Sequence, residues 1–487
     1  MEDFAYYLDK LGEIGFVEQV FHSLVYASGL PHVHPNEVVI FESGEIGLVM
    51  SMTKNYVEIL LLSEAKIRAG TQVARTGELL KLSIGEGILG RSLDPLGRCL
   101  TNPSPLKKVE SRAIDVGPAS IMAREQVKDP LETGVALVDL VVPLGKGQRE
   151  LIIGDRKTGK TQFLLQTIMS QAKRGIICIY AVIGQRHFDF KKLEEFFATK
   201  GISKNTVIVA TSSSDPSGLI FLTPYSAITI AEYFRDKGAD VLLVMDDMTT
   251  HAAYYREISL LARRFPGRSS YPGDIFYVHS KIMERAGKFK KGSITALPVA
   301  TTVLGDLSGY LQTNLMAMTD GHIFFDIDLY NRGRRPAVNP FLSVTRVGHA
   351  AQTPLQRDIS RELTSFLVVH ERMGQYMHFG AEVSENVRKI LVLGEKIISF
   401  FNQPADSIMT ANLNAILLAG LWAGVWKDAE VDVMKREMEQ ITLSYGVDEA
   451  FRTKLDKTLS TFDKFSDLVT YLKQNDEILL GKISRQK

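Results

Sequence analysis

Residues 154 to 161 read GDRKTGKT, which fits the pattern G-x-x-x-x-G-K-[ST]. Glycines in such a stretch let the backbone wrap phosphate oxygens with inward N–H groups, and a helix starting at its end adds the positive pole of its dipole. In that geometry Lys160 reaches the β- and γ-phosphates of a nucleotide and Thr161 ligates Mg²⁺. Gly154, Asp155, Arg156, Lys157, Thr158 and Gly159 form the rest of the loop, which is unusually rich in charge. The plain alternative is a tight strand-to-helix turn that carries G-K-T by chance. An apolar run before the loop and an amphipathic run after it favour the phosphate reading.

Two further positions bear on whether a held nucleotide is split. Asp246 follows the apolar run at 241–245. An acid at the carboxyl end of a parallel strand faces the ligand crevice and can hold Mg²⁺ through water. An acid there also commonly caps the next helix, so we assign Asp246 to the metal and Asp247 or Thr249 to capping. The run GIICIYAVI at 175–183 leads into GQRHFD, which puts Gln185 beside the nucleotide. Hydrolysis needs a group that orients or deprotonates water, and a neutral amide is a far weaker base than a carboxylate. Some NTPases do position water with Gln, so this chemistry favours a silent site only modestly. The stretch NRGRRPAVNPFLSVTRVGHAA carries Arg332, Arg334, Arg335 and Arg346. Arg346 follows the strand-like FLSVT. It either pairs with an acid of its own chain or projects across a subunit boundary as an arginine finger, and spacing leaves both open.

These residues need a scaffold, and the hydrophobic pattern outlines one. Apolar runs at 151–153, 175–183 and in TVIVAT and DVLLVMDD read as buried strands. Helical patterns alternate with them at 161–173, in FKKLEEFFATKG, at 224–237 and in AAYYREISLLARRF, and later strands are SITALPVATT and DGHIFFDIDL. Strands apolar on both faces between helices predict an α/β domain with a mostly parallel sheet. Residues 15 to about 80 hold short β-rich runs broken by turn residues, as in a small barrel or sandwich. After about residue 355 only helical periodicity remains.

At 487 residues the chain exceeds one core and predicts two to four domains. A net charge of +1 disfavours a strongly basic nucleic-acid binder. Two cysteines, Cys99 and Cys178, form no zinc spacing and no disulfide framework. The start MEDFAYYLDKLGEIG lacks the features of a secretory signal or transit peptide. The longest uncharged apolar run, AILLAGLWAGVW at 415–426, is too short to span a bilayer and reads as a buried helix.

Together the blocks GQRELIIGDRKTGKT, AVIGQR, AEYFRDKGADVLLVMDD, FPGRSSYPGDIFYVHSKIMERAG, TDGHIFFD and RPAVNPFLSVTRVGHAAQ resemble the alpha subunit of F-type ATP synthases. The resemblance runs from about residue 15 into the C-terminal region. It implies three domains: an N-terminal β-barrel over 1–80, a central RecA-like α/β P-loop NTPase domain over 81–354, and a C-terminal helical domain over 355–487. It further implies that the chain binds ATP or ADP with Mg²⁺ without turning it over. Three such chains would alternate with three beta subunits around the gamma central stalk. A membrane-embedded rotor and stator sector would be reached through partners alone, with no membrane span and no nucleic acid. The setting implied is the cytoplasmic face of the bacterial plasma membrane, with proton or sodium flow coupled to ATP synthesis and hydrolysis. Gln185 stands where beta subunits carry a catalytic Glu in a GER context. Arg346 matches the family's arginine finger, Ser343 the serine of the same block that activity needs, and Gln403 offers the adenine contact.

Some residues depart from the pattern. Lys157 occupies a position where alpha subunits usually carry Gln, FFNQPADS is shorter than the family's segment, and only about fourteen residues precede the barrel. These departures point to a divergent or alternative lineage whose stator attaches differently or whose coupling ion is not a proton. The rival reading is a homohexameric RecA-like motor ATPase of the secretion or RNA-helicase type. It would need its own catalytic Glu and a basic, aromatic barrel, and neither is evident. Intact Lys160, Thr161 and Asp246 argue against an assembly module that has lost its nucleotide.

Overall fold

The computed structural model describes residues 3–63, 67–101, 105–378 and 384–481. A helix, α1 (Phe4–Leu11), is capped by the Asp3 side chain, which accepts from the N–H of Tyr6, and packs against the last strand of a barrel. That barrel comprises β1 (Ile14–Phe21), β2 (Leu24–Ser28), β3 (Glu37–Phe41), β4 (Ile46–Met52), β5 (Val57–Leu61) and β6 (Gln72–Leu79), closed in the order β1-β2-β5-β4-β3-β6. Antiparallel pairing of β1 with β6 removes the free edge and excludes a sandwich. Val25, Val39, Phe41, Val49, Ile59 and Val73 fill its interior.

Beyond the barrel, β7 (Lys81–Glu86) pairs with β9 (Lys107–Ala113), while β8 (Ser92–Leu93) between them joins the edge of the central sheet. Then β10 (Pro130–Leu131) pairs with β11 (Leu144–Gly145) around α2 (Ala136–Val141). The α/β domain follows as β12 (Glu150–Gly154), α3 (Lys160–Lys173), β13 (Ile177–Gln185), α4 (His187–Thr199), β14 (Thr206–Ser212), α5 (Ser217–Asp236), β15 (Asp240–Asp246) and α6 (Met248–Leu261). It continues through α7 (Ile275–Met283), β16 (Gly287–Lys288), β17 (Ser293–Thr301), α8 (Tyr310–Met318), β18 (Gly321–Phe325), α9 (Ile327–Asn331) and β19 (Val344–Thr345). The sheet runs β19-β18-β12-β17-β15-β13-β14-β8, with β16 paired to β17. All pairs are parallel except those of β19 and β16.

Side chains on successive strand residues point to opposite faces. Ile152, Tyr180, Val182, Leu242 and Val244 therefore face one core with α3 and α4, and Leu151, Ile153, Ile179, Leu243 and Met245 face the other with α5. The first core is continuous with the C-terminal helices, and the second with barrel residues Leu24, Val38, Leu48 and Leu60. The sheet thus joins the helical domain through one face and the barrel through the other.

Helix α5 begins at Ser217 rather than at 224, and Pro224 lies inside it. Proline disfavours a helix interior, but every residue from Ser217 to Tyr233 is buried, and that packing outweighs the local cost. Helix α6 starts at Met248, four residues before the expected 252, because the Asp247 side chain caps it.

The C-terminal region is helical: α10 (Pro354–His378), α11 (Glu385–Phe401), α12 (Ala411–Ala423), α13 (Val431–Val447), α14 (Glu449–Ser460), α15 (Phe465–Gln474) and α16 (Glu477–Leu480). The apolar run at 415–426 belongs to α12 and the turn after it, with Leu417, Leu418 and Trp426 buried at the centre of the helices. Among the described residues no helix is long and apolar enough to cross a membrane.

Candidate functional site

Strand β12 ends at Gly154, whose φ is 155°. A Cβ there would stand 2.3 Å from the carbonyl oxygen of Phe325, so only glycine lets the loop leave the sheet at this point. Gly159, at φ 99°, makes the left-handed turn into α3, and the space a Cβ would occupy there is open. Lys157 also adopts a left-handed backbone, at φ 65°, and is exposed together with Arg156. The first N–H groups of α3 have no intrahelical partner, which leaves them available to an anion.

Lys160 is buried, and its ammonium donates to the carbonyl oxygens of Gly154 at 2.5 Å and Asp155 at 2.6 Å. Burial pulls its pKa down to about 8, opposed by the carboxylates of Asp246, Asp247 and Asp155. The Asp155 carboxylate accepts from the Thr302 hydroxyl and from the N–H of Gly305 at 3.0 Å. Thr158 donates to the Asp155 carbonyl at 2.8 Å. Asp155 and Thr158 therefore brace the loop from behind, and neither side chain lines the cleft in front of it.

That cleft, about 790 Å³, is lined by Arg156, Lys157, Lys160, Thr161, Gln185 and Asp246, with apolar walls from Leu165, Phe196 and Tyr330. A volume of this order suits a nucleotide. Asp246 is buried at the end of β15, and its Oδ2 accepts from the Tyr180 hydroxyl at 2.7 Å. Burial, then the neighbouring Asp247, raises its pKa. Asp247 accepts from the N–H of Thr250 at 2.5 Å and from the Thr301 hydroxyl at 3.0 Å, so it caps α6 and braces β17. Thr249 does not cap; its hydroxyl oxygen accepts from the N–H of Thr301 at 2.9 Å.

Among the described residues no group of three His, Cys, Asp or Glu side chains converges to hold a metal by itself. The Thr161 hydroxyl and an Asp246 carboxylate in one cleft are hard oxygen donors that fit Mg²⁺ brought in with phosphates.

Gln185 closes β13, and its Nε2 donates to the Asp246 carbonyl at 3.1 Å. Sequence reasoning passed over two charged residues of the same cleft, Asp189 and Lys192. Both lie in the first two turns of α4, which begins at His187 rather than near 190. Their signal was the helical spacing that follows Gln185.

Three assigned residues lie elsewhere. In the sheet register Thr345 of β19 stands opposite Gly321 of β18, and Gly321 opposite Glu150 of β12. Arg346 is therefore at the amino edge of these strands. The phosphate loop leaves the carboxyl edge, about 13 Å away along β12 alone at 3.3 Å per residue. Arg346 is exposed, its Nη1 donates to the Thr319 carbonyl at 3.3 Å, and no acid of the described chain forms an ion pair with it.

Ser343 donates to the Asn339 carbonyl at 2.6 Å and accepts from the N–H of Phe324 at 3.0 Å, which closes the turn before β19 onto β18. Gln403 is buried: its Nε2 donates to the carbonyls of Gly134 at 2.8 Å and Ser407 at 2.9 Å, and its Oε1 accepts from the N–H of Ala136 at 3.1 Å. With every polar atom engaged by backbone, it has none left for a base and does not line the cleft; it joins the helical domain to the start of the α/β domain.

Residues 134–345 match the family described as ATP synthase alpha/beta family, nucleotide-binding domain. The match spans the phosphate loop, Gln185, Asp246 and Ser343, and ends one residue before Arg346. It supports nucleotide binding and likens this stretch to a subunit of a rotary ATPase.

Proposed function

We propose that this chain is the non-catalytic alpha subunit of a rotary F-type ATP synthase, holding MgATP in its own cleft and lending Arg346 to a catalytic site on the beta subunit. The observation that carries the reading is Gln185. The residue at the end of β13 is an amide tied to a backbone carbonyl, so this position in the cleft offers no base for water. Arg346 adds support: it is unpaired with any described acid, exposed, and at the sheet edge opposite its own phosphate loop, which suits action on a neighbour's nucleotide.

In this reading Lys160 and the loop N–H groups bind the phosphates, and the walls formed by Leu165, Phe196 and Tyr330 take the base. Thr161 and Asp246 would hold Mg²⁺, which when bound neutralises phosphate charge. Ser343 acts on the turn that carries the finger rather than on a nucleotide. Three copies would alternate with three beta subunits around a gamma stalk. Contact with the ion-conducting sector, proton- or sodium-driven, would run through partners at the cytoplasmic face of a bacterial membrane.

The test is the purified chain alone. It should bind MgATP and hydrolyse it at background rate, and hydrolysis should appear only in an assembly with a beta-type chain. A second reading, a homohexameric motor, draws on Asp189, a carboxylate in the same cleft. Brisk hydrolysis by the isolated chain that Asp189→Asn abolishes would install that reading and overturn the first.

A further inference from the structure

We propose that Gln148, Glu150 and Thr345 form a clamp that positions Arg346; the proposal rests on the finger reading of Arg346. The finger follows a strand of two residues, Val344 and Thr345, with two ladder pairs to β18. So short a strand is a weak mount for a side chain that must meet a neighbour's phosphate. The mount is reinforced from inside. The Thr345 hydroxyl donates to the Pro143 carbonyl at 3.0 Å, and it accepts from Gln148 Nε2 at 3.0 Å and from the N–H of Gly348 at 3.1 Å. Gln148 Nε2 also donates to Glu150 Oε2 at 2.7 Å, and its Oε1 accepts from the N–H of Gly145 at 2.9 Å. The amide of Gln148 therefore has one orientation, set by Glu150 on one side and Gly145 on the other.

Two glycines admit this approach. A Cβ at Gly321 would lie 2.7 and 2.8 Å from the Glu150 carboxyl oxygens and 2.1 Å from the Val344 carbonyl; one at Gly348 would lie 1.8 Å from the Pro143 carbonyl. On either side of Arg346, Val344 is thus pressed onto Gly321 and Gly348 onto Pro143.

Glu150 is the member that packing alone does not account for. It is fully buried at the first position of β12, and its Oε1 has no hydrogen-bond partner. An orphaned carboxyl oxygen is costly in a core, and a methyl-bearing side chain of similar size would avoid that cost. The ionisable groups facing Glu150 are Asp320, which opposes its charge, and Arg346, which favours it. Arg149 ties Asp320 in place at 2.9 Å. Glu150 therefore serves the finger by orienting the amide that grips Thr345. The strand that begins with this clamp ends in Gly154, so one five-residue strand carries the finger's mount and the phosphate loop.

The experiment uses the assembled complex, purified through a tag on this chain, with Thr345→Val, Thr345→Ser, Glu150→Gln and Arg346→Ala compared in steady-state ATP hydrolysis. MgATP binding to each isolated chain and the yield of assembled complex report on folding. Thr345→Val should lower kcat roughly 10- to 100-fold with KM unchanged, as expected for a misplaced catalytic group. Thr345→Ser, which keeps the hydroxyl, should recover most of the rate, and Glu150→Gln, which keeps an oxygen to accept from Gln148, should likewise hold kcat near wild type while nucleotide binding stays intact. Wild-type kcat in Thr345→Val, equal losses in the Val and Ser variants, or a change confined to KM would overturn the clamp. Arg346→Ala separates the two layers. If it is inactive while Thr345→Val is normal, the clamp alone fails; if Arg346→Ala turns over normally, the finger reading fails and takes the clamp with it.

Discussion

Gln185 and Asp246 are joined across the floor of the cleft by a hydrogen bond of 3.1 Å from the Gln185 side-chain amide to the Asp246 backbone carbonyl. The bond needs a donor at position 185, and a carboxylate has none. Gln185→Glu should therefore destabilise the protein by about 1–3 kcal/mol through the lost bond and the facing oxygens, aggravated by Asp246 and Asp247 nearby. Denaturant melts of the two proteins check this. Unchanged or greater stability in the Glu variant would show that the amide is not held as described.

The depressed pKa of Lys160 makes nucleotide binding pH-dependent. Only the ammonium form attracts phosphate, and burial brings its pKa to about 8 in the free protein. MgATP affinity should be flat below about pH 7 and weaken roughly tenfold by pH 9, the loss expected one unit above the pKa. Calorimetry at the two pH values measures it, and Lys160→Arg should flatten the profile. An affinity equal at both pH values in the unsubstituted chain would count against the assignment.

Gln403 should act on stability and not on base selection. Its side chain makes three hydrogen bonds to backbone groups of Gly134, Ala136 and Ser407. Gln403→Ala leaves buried backbone groups unpaired and should cost about 2–4 kcal/mol. The ratio of ATP to GTP affinity, measured at a temperature where the variant is folded, should not move. A changed ratio with unchanged stability would restore the residue to the base pocket.

A buried histidine pair sets a limit on the acid side. His251 and His279 meet at 3.1 Å, and His251 also bonds the Phe221 carbonyl at 3.0 Å. Burial lowers the pKa of His251 to about 4, and burial plus His251 lowers that of His279. Both are neutral in the folded chain, so below about pH 6.5 the unfolded chain takes up protons that the fold refuses. Their contribution is complete above pH 6.5 and is lost as pH falls towards 4, by about 3 kcal/mol for His251 alone. Glu150 and Asp246, with raised pKa values, act in the opposite sense. The measurement is accordingly a difference: thermal melts of wild type and His251→Gln from pH 7.5 to 5, in which the gap should narrow as the pH drops. A constant gap would refute the pair's role.

Local pattern determined much of this protein. The phosphate loop between an apolar and an amphipathic run, the acid at the end of 241–245, the amide at 185 and the shift to pure helix after about 355 all follow from periodicity and residue type, because each depends on neighbours a few positions apart. Where several strands compete for partners, only the folded chain decides. Closure of β1 on β6 selects a barrel over a sandwich, and wholesale burial of α5 carries Pro224 into a helix. The register of β19 on β18 and β12 sets Arg346 at the opposite edge from its own loop, and the side chains of Asp155, Ser343 and Gln403 bond to backbone groups of their own chain. Gln148 and Glu150 stand nearly two hundred positions before Thr345 in the chain, and no spacing rule links them. Contacts between segments so far apart are set by which faces must be buried together, and that is a property of the assembled sheet.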